Sequence, residues 1–251
     1  MDQYNSLRIE RLRDAAVEPV ISYEEFYFHF YRRHSENESL GSREARYADA
    51  YRYAFERVTP IIDEGELIVG KCRTRLNETE SAEWLTLKEN VAAKMTLAAG
   101  QDSHMAIDYE LLLREGVEGV RGRIEAKLAQ EDDPKKRGFY ELCAACLEAT
   151  TVYARRYAEL AERLAAECAD ERRAEELQRI AVVCRRVPEK PAQTFYEAVQ
   201  AAHFMSLCLS MDPMRYFAMQ QFQLGHPDKY LYPYYAADKA AGRLTDEEAQ
   251  V

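Results

Sequence analysis

Few residues in this chain have the type and spacing to do chemistry. His104 and Asp108 sit four apart; on a helix they share one face, where an imidazole and a carboxylate form an acid/base or substrate-orienting pair. The same spacing also suits a histidine at a helix start beside its own surface carboxylate. Cys143-Ala-Ala-Cys146 has the spacing of a redox or metal pair. A thioredoxin-like motif should follow a strand and structural zinc takes four ligands, so two thiols on an alanine-rich helix read as packing. His203 reads as a hydrogen-bonded core histidine, His29 as part of an aromatic cluster and His34 as a loop residue. The sequence contains no GxSxG, Walker loop, GxGxxG or HExxH. No residue is assigned a catalytic or metal-ligating role on these grounds.

The elements that must position these residues are mostly helices. Ser22 and Glu25 form a capping box opening an aromatic helix from Tyr23 to Arg33. The next helix, Arg43 to Val58, carries Tyr47, Tyr51, Ala54, Phe55 and Val58 on one stripe and is stopped by Pro60. Glu66 to Gly70 is short, β-branched and closed by glycine, which predicts a strand. Helices are expected over Ser81 to Ala99 and over Met105 to Gln130, the second interrupted at Gly116, Gly119 and Gly122, with Gly100 to Ser103 a turn that delivers His104. A charged linker, Glu131 to Gly138, precedes the longest helix, Phe139 to Ala169. Asp170 caps a helix to Arg186, closed by Val187-Pro188, and Thr194 with Glu197 caps a buried helix from Phe195 to about Ser210. Asp212 to Tyr235, rich in Met, Tyr, Phe, Pro and Gly, lacks clean periodicity and is expected to be irregular; its tyrosines are expected to pack rather than stack on bases. A third capping box, Thr245 to Glu248, opens a helix with three residues left. The chain is therefore expected to stop partway through its fold, the alternative being a frayed tail.

Composition limits the function classes. The chain has 251 residues, 47% hydrophobic and 31% charged, enough for a sizeable core. Lys and Arg number 34 against 44 Asp and Glu, a net charge of -10 with the signs interspersed, which argues against a nucleic-acid binder. No apolar run approaches the ~18 residues of a membrane span, and Met1 to Arg13 is charged throughout, so the expectation is a cytoplasmic protein that does not enter a membrane. In that compartment its six cysteines stay reduced.

Read in order, Glu18 to Ser22, Ile61 to Gly70 and Asp102 to Tyr109 resemble the N-terminal region of glycyl radical enzymes of the pyruvate formate-lyase and glycerol dehydratase type. Tyr157 to Ala161, Cys184 to Pro188, Thr194 to Gln200, Gly225 to Tyr235 and Gly242 to Gln250 are similar to that family's successive landmarks. The resemblance covers nearly the whole chain from Arg8. It implies a mainly α segment, the N-terminal helical part of a ten-stranded α/β barrel built by a much longer chain. It makes residues 1–251 one N-terminal portion of a pyruvate formate-lyase-like domain, truncated at its C-terminus. In such enzymes an activating radical-SAM enzyme installs a glycyl radical, which oxidises a cysteine to a thiyl that takes hydrogen from a small-molecule substrate. Segments such as GCVEP and RVxGY, which carry that cysteine and glycine, do not occur here. The resemblance places His104, and with it Asp108, near substrate, and implies a homodimer for the complete enzyme. Two departures leave the substrate open: the stretch from Gly70 to His104 is shorter than in better-known dehydratases, and His226 and Lys229 stand where Arg and Gln are usual.

The leading expectation is thus the front part of a glycyl radical lyase, dehydratase or formate acetyltransferase, inactive alone and with no bound cofactor of its own. The alternatives are a non-catalytic subunit of a split radical enzyme, or a helical scaffold protein. A CxxC redox or zinc protein is the third class.

Overall fold

A computed structural model describes residues 3–17, 22–37, 39, 41–73, 75–94, 106–211 and 223–250. Ten helices run through them in chain order: α1 (Gln3–Val17), α2 (Glu24–Glu36), α3 (Arg43–Phe55), α4 (Glu78–Lys94), α5 (Tyr109–Leu128), α6 (Pro134–Glu167), α7 (Glu171–Arg186), α8 (Phe195–Ser210), α9 (Pro227–Ala240) and α10 (Asp246–Gln250). No strand occurs among the described residues, and none of their helices is long and apolar enough to cross a membrane.

The 34-residue α6 is the spine. α3, α5 and α7 pack along it, α2 and then α4 lie outside α3, and α8 bridges α5, α6, α7 and α9. The core is a relay of rings between elements: Phe26 of α2 meets Phe55 of α3 at 4.9 Å, Phe55 meets Tyr153 of α6 at 5.3 Å, and Tyr153 meets Phe204 of α8 at 5.5 Å. Such contacts add to the area these rings remove from water. Arg156 of α6 then donates to Phe55 O (2.8 Å) and Val58 O (2.6 Å), satisfying carbonyls that the end of α3 leaves open.

The caps explain several boundaries. Asp170 accepts from Arg173 N (3.2 Å), as its position predicts; Thr194 accepts from Glu197 N (3.2 Å), but the Glu197 carboxylate takes Gln193 N (2.7 Å) rather than Thr194 N, so only half of that expected box forms. Thr245 and Glu248 close a reciprocal box, with Thr245 N donating to Glu248 Oε2 (2.8 Å) and Glu248 N to Thr245 Oγ1 (3.1 Å).

Other expectations need correction. Ser22 accepts from Glu24 N (3.3 Å), but Glu25 does not reach back to complete a box; its buried carboxylate accepts from Thr59 N (3.1 Å) and Thr59 Oγ1 (2.6 Å) instead. The expected linker 131–138 is half helix, because Asp133 accepts from Lys135 N (2.8 Å) and Pro134 occupies the first turn, where its missing N–H is no loss. Residues 227–235, expected to be irregular, form most of α9, opened by Pro227 in the same way. The N-terminal helix α1 carried no clear apolar stripe and was not foreseen. The turn at 100–103, with Met95 to Ala99, lies outside the described residues.

Gly116 does interrupt α5, with φ 66° and ψ 174°. The break frees Val117 N and Glu118 N to donate to Pro188 O (2.9 Å) and Glu189 O (3.0 Å) of the loop after α7. A Cβ at Gly116 would lie 2.4 Å from Glu189 O, so the turn and the close approach both require glycine.

Candidate functional site

The stretch predicted as a strand, 66–70, is not one, and the reason defines the site. Its backbone is held by side chains rather than by a neighbouring strand. Val69 N donates to Gln200 Oε1 (2.8 Å) while Gln200 Nε2 donates to Val69 O (2.7 Å). Lys71 N donates to the Tyr157 hydroxyl (3.1 Å), which donates in turn to Lys71 O (2.8 Å). Tyr196 donates to Leu67 O, and Arg173 to Glu66 O (2.8 Å). His203 Nε2 lies 3.0 Å from Gly70 O. Gly70 has φ 140°, and a Cβ there would sit 3.2 Å from the His203 ring, so this contact too depends on glycine.

Two clefts flank this segment. The larger, about 1170 Å³, opens between α1, α7, α8 and the chain after α9; Arg8, Ile68, Cys72, Arg179, Tyr196 and Leu207 are among its walls. The smaller, about 400 Å³, lies towards α9 and is lined by Glu66, Ile68, Ala202, Leu224, Pro227 and Tyr230, among others. His203, Gly70 and Lys71 border both. His203 is therefore hydrogen-bonded as its sequence context predicts, but it is exposed at a cleft rather than enclosed in the core.

Charge at the larger cleft is organised in pairs. Lys71 Nζ reaches Asp63 Oδ2 at 2.9 Å and also pairs with Glu66; Arg73 meets the same Asp63 at 2.7 Å. Burial alone would lower the Lys71 pKa, but the hydrogen bonds it donates to Glu66 and Asp63 outweigh it and hold the ammonium above its ordinary value. For Asp63, burial pushes the pKa up, and Lys71 and Arg73 together bring it below the usual carboxylate range. Glu176 gathers Arg8 of α1 and Arg173 (3.0 Å), tying α1 to α7.

The sequence-predicted residues fall at the margin. His104 lies outside the described residues. Asp108 caps α5, accepting from Leu111 N (2.9 Å), and is exposed; it precedes the helix rather than lying within it, so the one-face geometry expected of a helical pair does not apply to it. Its neighbour Tyr109 is buried and stacks on Tyr230 at 5.3 Å, at the wall of the smaller cleft. Gln200, Tyr157 and His203, which do shape the site, had no distinguishing signal beyond helical position.

Four of the thiols are held back by burial. It raises the pKa of Cys72, Cys143 and Cys208, and pushes Cys184 up to about 12. Cys143 and Cys146 are half-buried one turn apart on α6, and among the described residues no group of three or more His, Cys, Asp or Glu side chains could hold a metal ion.

Residues 72–251 match the family model described as pyruvate formate lyase-like. The isethionate sulfite-lyase of Bilophila wadsworthia is 36% identical over 147 residues, covering 56% of this chain and 17% of the relative. The (2S)-3-sulfopropanediol dehydratase of Klebsiella oxytoca is 32% identical over 151 residues, 58% of this chain and 18% of the relative. Among solved structures, one concerning 1,2-propanediol dehydration in Roseburia inulinivorans superposes with a TM-score of 0.81 at 24% identity, over 97% of this chain and 36% of that one. A glycyl radical enzyme from Archaeoglobus fulgidus gives 0.76 at 24% identity, over 96% and 38%. At that identity the likeness is one of fold. The chain spans little more than a third of these solved chains, matching their N-terminal part. With helices as the regular elements of its described residues and residues 72–251 matching that model, the chain belongs to the pyruvate formate lyase-like family.

Proposed function

We propose that residues 1–251 form the N-terminal portion of a glycyl radical enzyme that removes a group, such as water or sulfite, from a small organic substrate. The observation that carries this reading is the family match over 72–251, joined to relatives named as sulfite-lyase and dehydratases. The cysteine that becomes a thiyl and the glycine that carries the radical would lie in parts of the fold that this sequence does not contain. By itself the chain would then be inactive. The complete enzyme would be a cytoplasmic homodimer built around a ten-stranded α/β barrel, activated by a radical-SAM partner.

Within this portion, His104 and Asp108 are proposed to stand near substrate. Asp108 already caps α5, so a purely structural role must be separated from a substrate role. In the completed enzyme, Asp108→Asn keeps an oxygen for the cap and so leaves the melting temperature nearly unchanged; a substrate role lowers kcat/KM by about tenfold or more, whereas a purely capping role leaves kcat/KM unchanged as well.

The reading is tested by the DNA that follows this coding region. An in-frame or frameshifted continuation encoding GCVEP-like and RVxGY-like segments supports it, and unrelated sequence defeats it. If those segments lie instead in a separate neighbouring gene, the chain is the non-catalytic subunit of a split enzyme.

A further inference from the structure

Helices α2 to α9 each place side chains in or against the apolar core, whereas none of the side chains described for α1 does. Leu7 of α1 is 47% exposed, and Ile9 and Leu12 are half-buried outside the core. An amphipathic helix does the reverse, burying such residues and exposing its charges. Among the described side chains of α1 the buried one is Arg8. Its stem lies against the turn at Gly65, where a Cβ would meet Arg8 Cγ at 3.4 Å. Its guanidinium donates to Glu176 of α7 and to Asn5 Oδ1 (3.2 Å). Tyr4, one turn earlier, lies under two cations, its ring 4.8 Å from Arg8 and 3.9 Å from Arg172 of α7. Arg11 pairs with Glu64 at 3.0 Å, but both are exposed and such a pair contributes little.

The two ends of the Arg8–Glu176 pair are not equally committed. Glu176 also accepts from Arg173 (3.0 Å) and lies 3.9 Å from Arg172, so its carboxylate stays partnered if α1 leaves. The Arg8 side chain is only 4% exposed, yet its buried Nε has no hydrogen-bond partner among the described residues. Water would satisfy that donor, so the buried guanidinium is held in place chiefly by its counter-charge. Neutralising Glu176 turns Arg8 from a paired charge into an uncompensated one, and the relief is to move α1 into solvent. Asn5, Arg8 and Leu12 line the larger cleft together with Gly65, Glu176 and Arg179, so α1 forms one of its walls.

We infer that α1 is a charge-latched strap on the larger cleft: breaking the Arg8–Glu176 pair lets it leave α7 as a unit and removes one wall of the cleft, while α2 to α9 stay packed. The inference needs only the contacts of α1 and is independent of the function proposed above. Access to the larger cleft from this side is then set by charge at one residue pair, through a local opening, rather than by the stability of the whole fold.

The test is amide hydrogen exchange in the 251-residue chain, with residues 7–12 of α1 compared against Ile180 and Ala181 of α7 and Phe204 of α8 as internal references. Glu176→Gln removes the charge but leaves an oxygen for Arg173, and Arg8→Ala removes the latch from the other side. Both are expected to speed exchange over residues 7–12 by about tenfold or more, with the references changing by less than about threefold. Leu12→Ala, which removes apolar contact at the cleft wall, is expected to change residues 7–12 by less than about threefold. Trypsin gives a second readout, because the buried Arg8 becomes a cleavage site only when α1 has left; cutting after Arg8 should rise by about tenfold in Glu176→Gln. Residues 7–12 exchanging in Glu176→Gln and Arg8→Ala as they do in the parent overturn the latch. Release of α1 by Leu12→Ala as full as that by Glu176→Gln overturns its charge basis. References that accelerate in step with α1 overturn the strap, since α1 would then open only with the rest of the fold.

Discussion

The two sides of α6 solve the same problem differently. Towards α2 and α3, the helix is covered by rings that meet other rings, and Phe26, Phe55 and Tyr153 are fully enclosed. Towards α7 and α8, the irregular segment 66–73 lies between two clefts, its backbone tied by Gln200, Tyr157, Tyr196 and Arg173. Leu224, at the wall of the smaller cleft, and Tyr232 of α9 stay exposed. The first side is complete in itself because dispersion and apolar burial need only neighbours. The second side depends instead on side chains that must reach particular backbone groups, because hydrogen bonds need partners with direction.

The comparison breaks most visibly if the closed side is opened. Phe204→Ala removes the ring that joins Tyr153 and Tyr157 to α8, and is expected to cost about 3–5 kcal/mol in a denaturant titration. A smaller loss would mean that the ring relay is looser than its distances indicate. On the other side, Gln200→Leu keeps volume but strips both partners from Val69. It should cost about 2–3 kcal/mol by the same titration, with faster exchange at the Val69 amide. Stability equal to the parent would show that the segment is held by something other than this amide.

A third measurement sharpens the contrast through pH. Burial lowers the His29 pKa to about 4, so the folded chain keeps this ring neutral while the unfolded chain protonates it near the ordinary value. Stability attached to His29 is therefore present above about pH 6.5 and lost as pH falls towards 4, by about 2 kcal/mol after allowance for its partial exposure. His29→Asn should flatten that part of the pH–stability curve; an unchanged slope assigns it to other groups. The smallest expected effect is Thr194→Ala, which removes the oxygen capping Glu197 N and should cost about 1 kcal/mol.

What the sequence made legible follows the same division. Helices α7 and α8 were readable nearly to the residue, because Asp170 and Thr194 each satisfy a local donor within three positions. The break at Gly116 was readable because positive φ favours glycine, but Gly119 and Gly122, equally expected to interrupt α5, stay helical. Proline misled twice: at 134 and 227 it opens a helix, but in a polar or aromatic context it resembles a loop signal. Glu25 misled because its partner, Thr59, is distant in sequence. The site was the least legible part. Gln200, Tyr157 and His203 sit at ordinary helical positions, and only the tertiary path of 66–73 makes them hydrogen-bond partners. Asp108 was legible as a residue of interest, and the described structure gives it a cap.

The central claim is that the α8 face is completed by the rest of the family's fold. Binding of an apolar fluorescent dye, read together with the melting temperature, tests it most directly in the chain alone and in the chain co-expressed with a relative's remaining portion. Dye binding by the chain alone, lost on completion as the melting temperature rises, is the expected result. A chain that binds no dye, melts cooperatively by itself and gains no stability from the added portion would contradict it.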